Sequence, residues 1–233
     1  MSDRRDEIAT NLAAVRDRID GACRESGRDP AKVRLVVVTK FFPVSDVRLL
    51  ADLGVTDIGE NRHQEAESKA AECSDLDLTW HFIGGLQSNK AAAVARYADV
   101  VESVDRVKLV KRLDDGAHDR SRPVDCLLQV SLDPPDAEGR SGADAADLPA
   151  LASAVQDAGM LRLRGLMAVA PLDADAEQAF ARLSEIRREF VAEHPDATWL
   201  SAGMSADLEP AVRAGATHVR IGSAVLGSRP QVK

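Results

Sequence analysis

Residues 3–27 set Ile8, Leu12, Val15, Ile19 and Ala22 three or four positions apart among charged neighbours, the spacing of a helix with one apolar stripe. Gly27 and Pro30 end that pattern. A second pattern follows, in which short apolar runs alternate with stretches of helical periodicity almost to the end of the chain. The runs 33–40, 55–59, 78–84, 98–103, 123–132, 161–169, 197–203 and 216–222 predict eight strands. Helices are expected between them, around 44–53, 62–72, from near Gln87, 105–115, 144–158, 174–193 and 206–214.

Strands that alternate with helices over short connections form a parallel sheet, and eight strands close it into a barrel. A doubly wound open sheet is the weaker alternative, because no GxGxxG turn follows the first strand. The expectation is an α/β protein, a single-domain (β/α)8 TIM barrel over residues 1–233, with the extra N-terminal helix (1–30) packed on it. A length of 233 residues suits one domain of this class.

Lys40 breaks the pattern. It ends the run Leu35-Val36-Val37-Val38-Thr39, and strand alternation puts Val36, Val38 and Lys40 on one side. Burial there would lower its pKa and free the amine for a Schiff base with a carbonyl. Snorkelling to the rim is the plainer reading. The other six lysines stand in helical or terminal contexts where a solvated charge is expected.

The far end of the chain offers Leu200-Ser201-Ala202-Gly203-Met204-Ser205 after strand seven and Arg220-Ile221-Gly222-Ser223 after strand eight. Barrels often bind phosphate with these two loops. Gly203 and Gly222 allow close backbone approach, and Ser201 and Ser223 offer hydroxyls. Ser205 reads first as a cap for the next helix. Asn61, after strand two, fits a ligand contact or a turn, and His81, within strand three, fits a core histidine as well as a ligand contact. The irregular segment 131–144 falls on the C-terminal face, as an active-site loop or a solvated one. His and Cys show no metal-ligand spacing, and no metal is expected.

A net charge of −8 argues against nucleic acid as a partner but leaves room for a small phosphorylated ligand. Three scattered cysteines suit a reducing compartment, the N-terminus lacks a signal-peptide core, and no apolar run approaches a membrane span. The cytoplasm is therefore expected, and the lack of an obvious apolar face suggests a monomer.

The segments VVVTKFFP, DIGENRHQEAESK, WHFIGGLQSNK, SVDR, RGLMAVAP and LSAGMSADLEPAVRAGATHVRIGSAVLG together resemble the pyridoxal phosphate homeostasis protein family (the YggS/PROSC family). They run from 33 to 227 in the family's order. The resemblance implies a fold-type III barrel for pyridoxal 5′-phosphate (PLP), similar to the N-terminal domain of alanine racemase and acting in intracellular vitamin B6 homeostasis, with effects on amino-acid metabolism. It implies that Lys40 is the Schiff-base lysine, that Asn61 contacts the cofactor near its ring, and that Ser201, Gly222 and Ser223 hold the phosphate. Arg220 would face the pyridine nitrogen. The chain departs from the family at Ser131 (often Asn), Arg140-Ser141-Gly142 (a Lys-x-Gly), Ala202 (often Met) and Ser223 (often Thr), which puts loop-mediated steps in doubt more than binding.

An arginine at the pyridine nitrogen disfavours its protonation and so weakens the electron sink. Racemases of this fold type add a tyrosine base and a second domain. The single tyrosine, Tyr97, leads into strand four, and about ten residues follow strand eight. The expectation is therefore a carrier or regulator without established catalysis, with PLP-dependent apoenzymes as candidate recipients. A weak amino-acid racemase with His81 as its second base is the alternative. Setting the resemblance aside, an aldolase-like barrel would need Glu60 as the acid/base beside Lys40.

Overall fold

The computed structural model describes residues 2–134, 142–172 and 174–228. Eight parallel strands run in chain order: β1 (Arg34–Val38), β2 (Asp57–Glu60), β3 (Thr79–Phe82), β4 (Val100–Val104), β5 (Val124–Gln129), β6 (Leu161–Met167), β7 (Trp199–Ser201) and β8 (His218–Ile221). Each pairs with the next, and β8 returns to β1, so the sheet closes into a barrel. The closing register sets Val36 beside Arg220 and Val37 beside Ile221, which brings the two ends of the chain to one seam.

Helices follow the strands: α2 (Val44–Asp52), α3 (His63–Glu72), α4 (Ala91–Ala95), α5 (Val107–Arg120), α6 (Leu148–Gln156), α7 (Ala176–Glu193), α8 (Leu208–Arg213) and α9 (Ser223–Leu226). Outward residues of the strands, among them Val37, Ile58, Val101, Leu128, Leu166 and Val219, join the helices' apolar stripes in one buried core. Inside the barrel the filling is mixed. Val100, Leu127 and Met167 form a small separate cluster against Trp199, while His81, Glu102, Ser201 and Arg220 are buried polar residues on β3, β4, β7 and β8.

The first helix, α1 (Ser2–Glu25), buries the expected Ile8, Leu12, Val15, Ile19 and Ala22. It packs against α8 and α9. Arg4 bridges Asp46 at 2.7 Å and the Leu226 carbonyl at 3.0 Å, and Arg18 binds Glu209 at 2.7 Å. Among the described residues no helix is long and apolar enough to cross a membrane.

The strands are shorter than their apolar runs. β1 ends at Val38, and Lys40 lies in a turn beyond it. The helix expected from Gln87 starts only at Ala91, after a turn in which Lys90 N–H donates to Gln87 O at 2.9 Å. Two elements escape the periodicity: a 3-10 turn at Pro30–Lys32, capped by Asp29, and the four-residue α9. Neither is long enough to show a period.

Candidate functional site

The turn after β1 closes with Phe42 N–H on Thr39 O at 3.0 Å, with Lys40 and Phe41 at its centre. Phe41 has φ 72°, the left-handed value that the third position of a type II turn requires. A side chain held there costs about 1–3 kcal/mol, so the surroundings must enforce it. The Phe41 N–H donates to Glu65 Oε1 at 2.6 Å. Lys69 Nζ donates to the Thr39 carbonyl at 2.7 Å, to Glu60 Oε1 at 2.7 Å and to Glu65 Oε1 at 2.6 Å, using all three donors of an ammonium. Thr39 Oγ1 donates to the same Glu60 oxygen at 2.6 Å. Lys40 thus leaves a turn stapled on both sides.

This corrects the expectation for Lys69. It is only 4% exposed, because α3 lays it across the turn rather than toward solvent. Glu60 is likewise committed. Burial pushes its carboxyl above the ordinary value, against the pull of Lys69 and Thr39, and it serves the turn as an acceptor.

Lys40 opens into a cavity of about 280 Å³ at the C-terminal mouth, lined also by Val38, Phe42, Ile83, Met204, Ser205, Arg220, Gly222 and Ser223. That volume is near the lower end, roughly 300 Å³, of small-ligand pockets. Gly222 crosses β1 so closely that a Cβ there would stand 3.2 Å from the Val38 carbonyl. Ser223 starts α9, whose first N–H groups lack intrahelical acceptors by helix geometry, and its Oγ lies 3.4 Å from Ser205 Oγ. Ser205 does not cap α8. Asp207 precedes that helix and accepts from Met204 N–H at 2.6 Å, which leaves Ser205 on the cavity wall.

Ser201 is not brought to that wall. Its fully buried hydroxyl donates to Glu102 Oε2 at 2.6 Å and accepts from Arg220 Nη1 at 2.6 Å. Arg220 also donates to the Ala168 carbonyl at 2.9 Å, which fixes the guanidinium plane. Asn61 follows β2 directly. Its Oδ1 is buried without a hydrogen-bond partner among the described residues, and Gly84 lies so close that a Cβ would fall 2.3 Å from the Asn61 carbonyl.

His81 lies inside the barrel, 2% exposed, with Nδ1 2.8 Å from Glu102 and Nε2 3.1 Å from Asp57. Burial disfavours its charge, but the hydrogen bonds it donates to two carboxylates outweigh that and raise its pKa to about 9. Glu102, despite burial, is held down to about 2 by His81, with Arg220 and Ser201 assisting. An imidazolium clamped on both nitrogens is a structural ion, poorly suited to proton transfer at the mouth. Tyr97 lies outside the barrel, stacked on His63 at 5.9 Å between centroids, with burial pushing its phenol up. Of the 131–144 segment, Ala143 forms an isolated parallel bridge beside Val130, with Ala143 N–H donating to Gln129 O at 2.8 Å; residues 135–141, including Arg140 and Ser141, lie outside the described residues. A second cavity, about 810 Å³, adjoins the first across Ile83 and is lined by Gln129, Met167 and Leu172 among others. Among the described residues no group of His, Cys, Asp and Glu could hold a metal ion.

These features define a closed parallel α/β barrel with a lysine-centred pocket in its C-terminal mouth. The chain belongs to the alanine racemase N-terminal domain family, whose sequence profile matches residues 6–230, and within it to the pyridoxal phosphate homeostasis proteins. It is 44% identical over 225 residues to the pyridoxal phosphate homeostasis protein of Pseudomonas aeruginosa, covering 95% of this chain and 96% of that one. The protein of the same name from Escherichia coli is 39% identical over 238 residues, 97% of this chain and 99% of its own. PipY of Synechococcus elongatus, solved with PLP bound, has a TM-score of 0.81 at 38% identity, covering 94% of this chain and 100% of PipY. An alanine racemase of Clostridium difficile, 13% identical with a TM-score of 0.71, shares the fold over 97% of this chain and 58% of its own length.

Proposed function

We propose that this protein binds PLP as a Schiff base on Lys40 and takes part in intracellular PLP homeostasis, with consequences for amino-acid metabolism. One observation carries the reading: Lys40, Arg220, Gly222 and Ser223 line a single small cavity, in a chain 38% identical to a protein solved with PLP bound. The residues fit the group. Lys40 provides the amine, Ser223, Ser205 and the first N–H groups of α9 suit a phosphate, and Arg220 suits a ring nitrogen kept unprotonated. Asn61, with its buried unpartnered oxygen, would offer a polar contact near the ring, although it does not line the cavity itself. Ser201 acts through Arg220 rather than on the phosphate directly. Bound here, PLP supplies an aldehyde that condenses reversibly with a primary amine.

The protein's own residues favour holding over turnover. Arg220 disfavours a protonated ring nitrogen, and His81, the candidate second base, is fixed between carboxylates inside the barrel. We therefore read the protein as a carrier or regulator, with PLP-dependent apoenzymes as candidate recipients. We infer a cytoplasmic monomer; three free, buried cysteines suit a reducing compartment. Reconstitution of the purified chain with PLP tests the reading. Wild type should turn yellow with a visible absorbance band, and Lys40→Ala should not. A colourless wild type would sink it.

A further inference from the structure

A line of charged side chains of alternating sign crosses the barrel interior beneath the Lys40 cavity. Arg34 Nη1 lies 3.6 Å from Asp57 Oδ1, at the end away from the mouth. The same Asp57 oxygen lies 3.1 Å from His81 Nε2, and His81 Nδ1 lies 2.8 Å from Glu102 Oε1. Glu102 Oε2 accepts from Ser201 at 2.6 Å, and Ser201 accepts from Arg220 at 2.6 Å, leaving the two charged groups 3.8 Å apart. Beyond Arg34, no ionised side chain in this line is more than 6% exposed.

Burying these ions costs several kcal/mol each before pairing, and apolar residues fill the same interior at Val100, Leu127 and Met167. Packing alone therefore gives no reason for the line. Its far end does, because Arg220 is the one member on the cavity wall. His81 fixes one Glu102 oxygen, so the other is aimed at Ser201 and Arg220. The guanidinium is then held on one edge by Ser201 and on another by the Ala168 carbonyl.

We propose that Glu102 is the positioning residue for Arg220: through Ser201 it fixes the guanidinium and offsets its charge, so that a ring nitrogen entering the cavity meets an aimed donor beside a largely balanced cation. The inference rests on the reading that Lys40 holds PLP with its ring toward Arg220. Among the described residues, the other charged or titratable groups facing this line are Lys40, which shares the cavity wall with Arg220, Asp125, which acts on His81, His218, whose ring centroid is 6.1 Å from that of His81, and Asp207, which acts on Arg220 at longer range. His218 is held neutral by burial, lowered to about 4, and adds no charge near neutral pH.

Glu102→Gln keeps the shape and one acceptor oxygen but removes the charge. Arg220 then presents more net positive charge to the bound cofactor, which disfavours the protonated, lysine-linked form. In a spectrophotometric pH titration of PLP-loaded protein, the midpoint of the visible band should fall by about one pH unit in Glu102→Gln. Ser201→Ala, which keeps every charge and removes only the bridge, should lower it by less, with a melting temperature close to wild type. A folded Glu102→Gln with the wild-type midpoint would overturn the assignment; where that variant does not fold, a wild-type midpoint in Ser201→Ala would do so. A wild-type protein that never colours with PLP would count instead against Lys40 as the cofactor's lysine.

Discussion

Lys40 and Lys69 are the same side chain in different service. Lys40 leaves a turn into a cavity, while Lys69 spends its donors on Thr39, Glu60 and Glu65 to hold that turn. Only the first was legible in the sequence, because a lysine closing a run of valines is conspicuous. Lys69 stands in a polar helix, His63–Glu72, and nothing in that helix shows that one of its faces lies over Thr39. Its burial follows from residues on another strand and turn. Removing the charge leaves Glu60 and Glu65 uncompensated, and breaking a buried pair in this way costs about 3–5 kcal/mol. Lys69→Met should lose that much in urea unfolding and take up PLP more slowly, since the turn carrying Lys40 is no longer held. Stability within about 1 kcal/mol of wild type would show the staple to be dispensable.

At the scale of elements, alternation of apolar runs with helical periodicity was enough to read eight strands and the ring they form. Strand ends were less legible, because Thr39 continues the apolar run while its backbone already turns. Ser205 read as a cap until Asp207 was seen to take the position before α8. The charged line inside the barrel was not legible, because it depends on register: Gly59 sets His81 across from β2, and Val101 and Phe82 pair across β3 and β4. That line also sets a pH dependence. His81 titrates at about 9 when folded against 6.5 when free, so its proton stabilises the fold fully below about pH 6.5, and that contribution is lost as pH rises through about 9. Asp57 and Glu102 are held at about 2 against 3.8 and 4.5, so their contribution is present above those ordinary values and is lost as pH falls toward 2. Denaturant midpoints should be highest between about pH 4.5 and 6.5 and decline from 6.5 to 9. His81→Asn should be less stable throughout and lack that decline; a wild-type curve that rises across pH 6.5 to 9 would contradict the assignment.

The whole molecule joins chain ends that are distant in sequence. Closure of β8 on β1 brings Arg220 beside Val36, and the short α9 then carries Ser223 to the cavity that Lys40 enters from the other side of the seam. The residues singled out on the resemblance divide along this geometry. Lys40, Arg220, Gly222 and Ser223 share the cavity, Asn61 is not on its wall, and Ser201 lies below it, between Glu102 and Arg220. On the proposed reading, a pocket with Lys40 and a fixed Arg220 on its wall, and with His81 held inside the barrel, suits a protein that keeps an aldehyde more than one that transforms it. Lys40 is proposed to hold the cofactor covalently. Borohydride reduction of PLP-loaded protein, followed by peptide mass spectrometry, should place the pyridoxyl-phosphate adduct on Lys40 at one per chain. An adduct spread over other lysines, or found undiminished in Lys40→Ala, would rule out Lys40 as the cofactor's lysine.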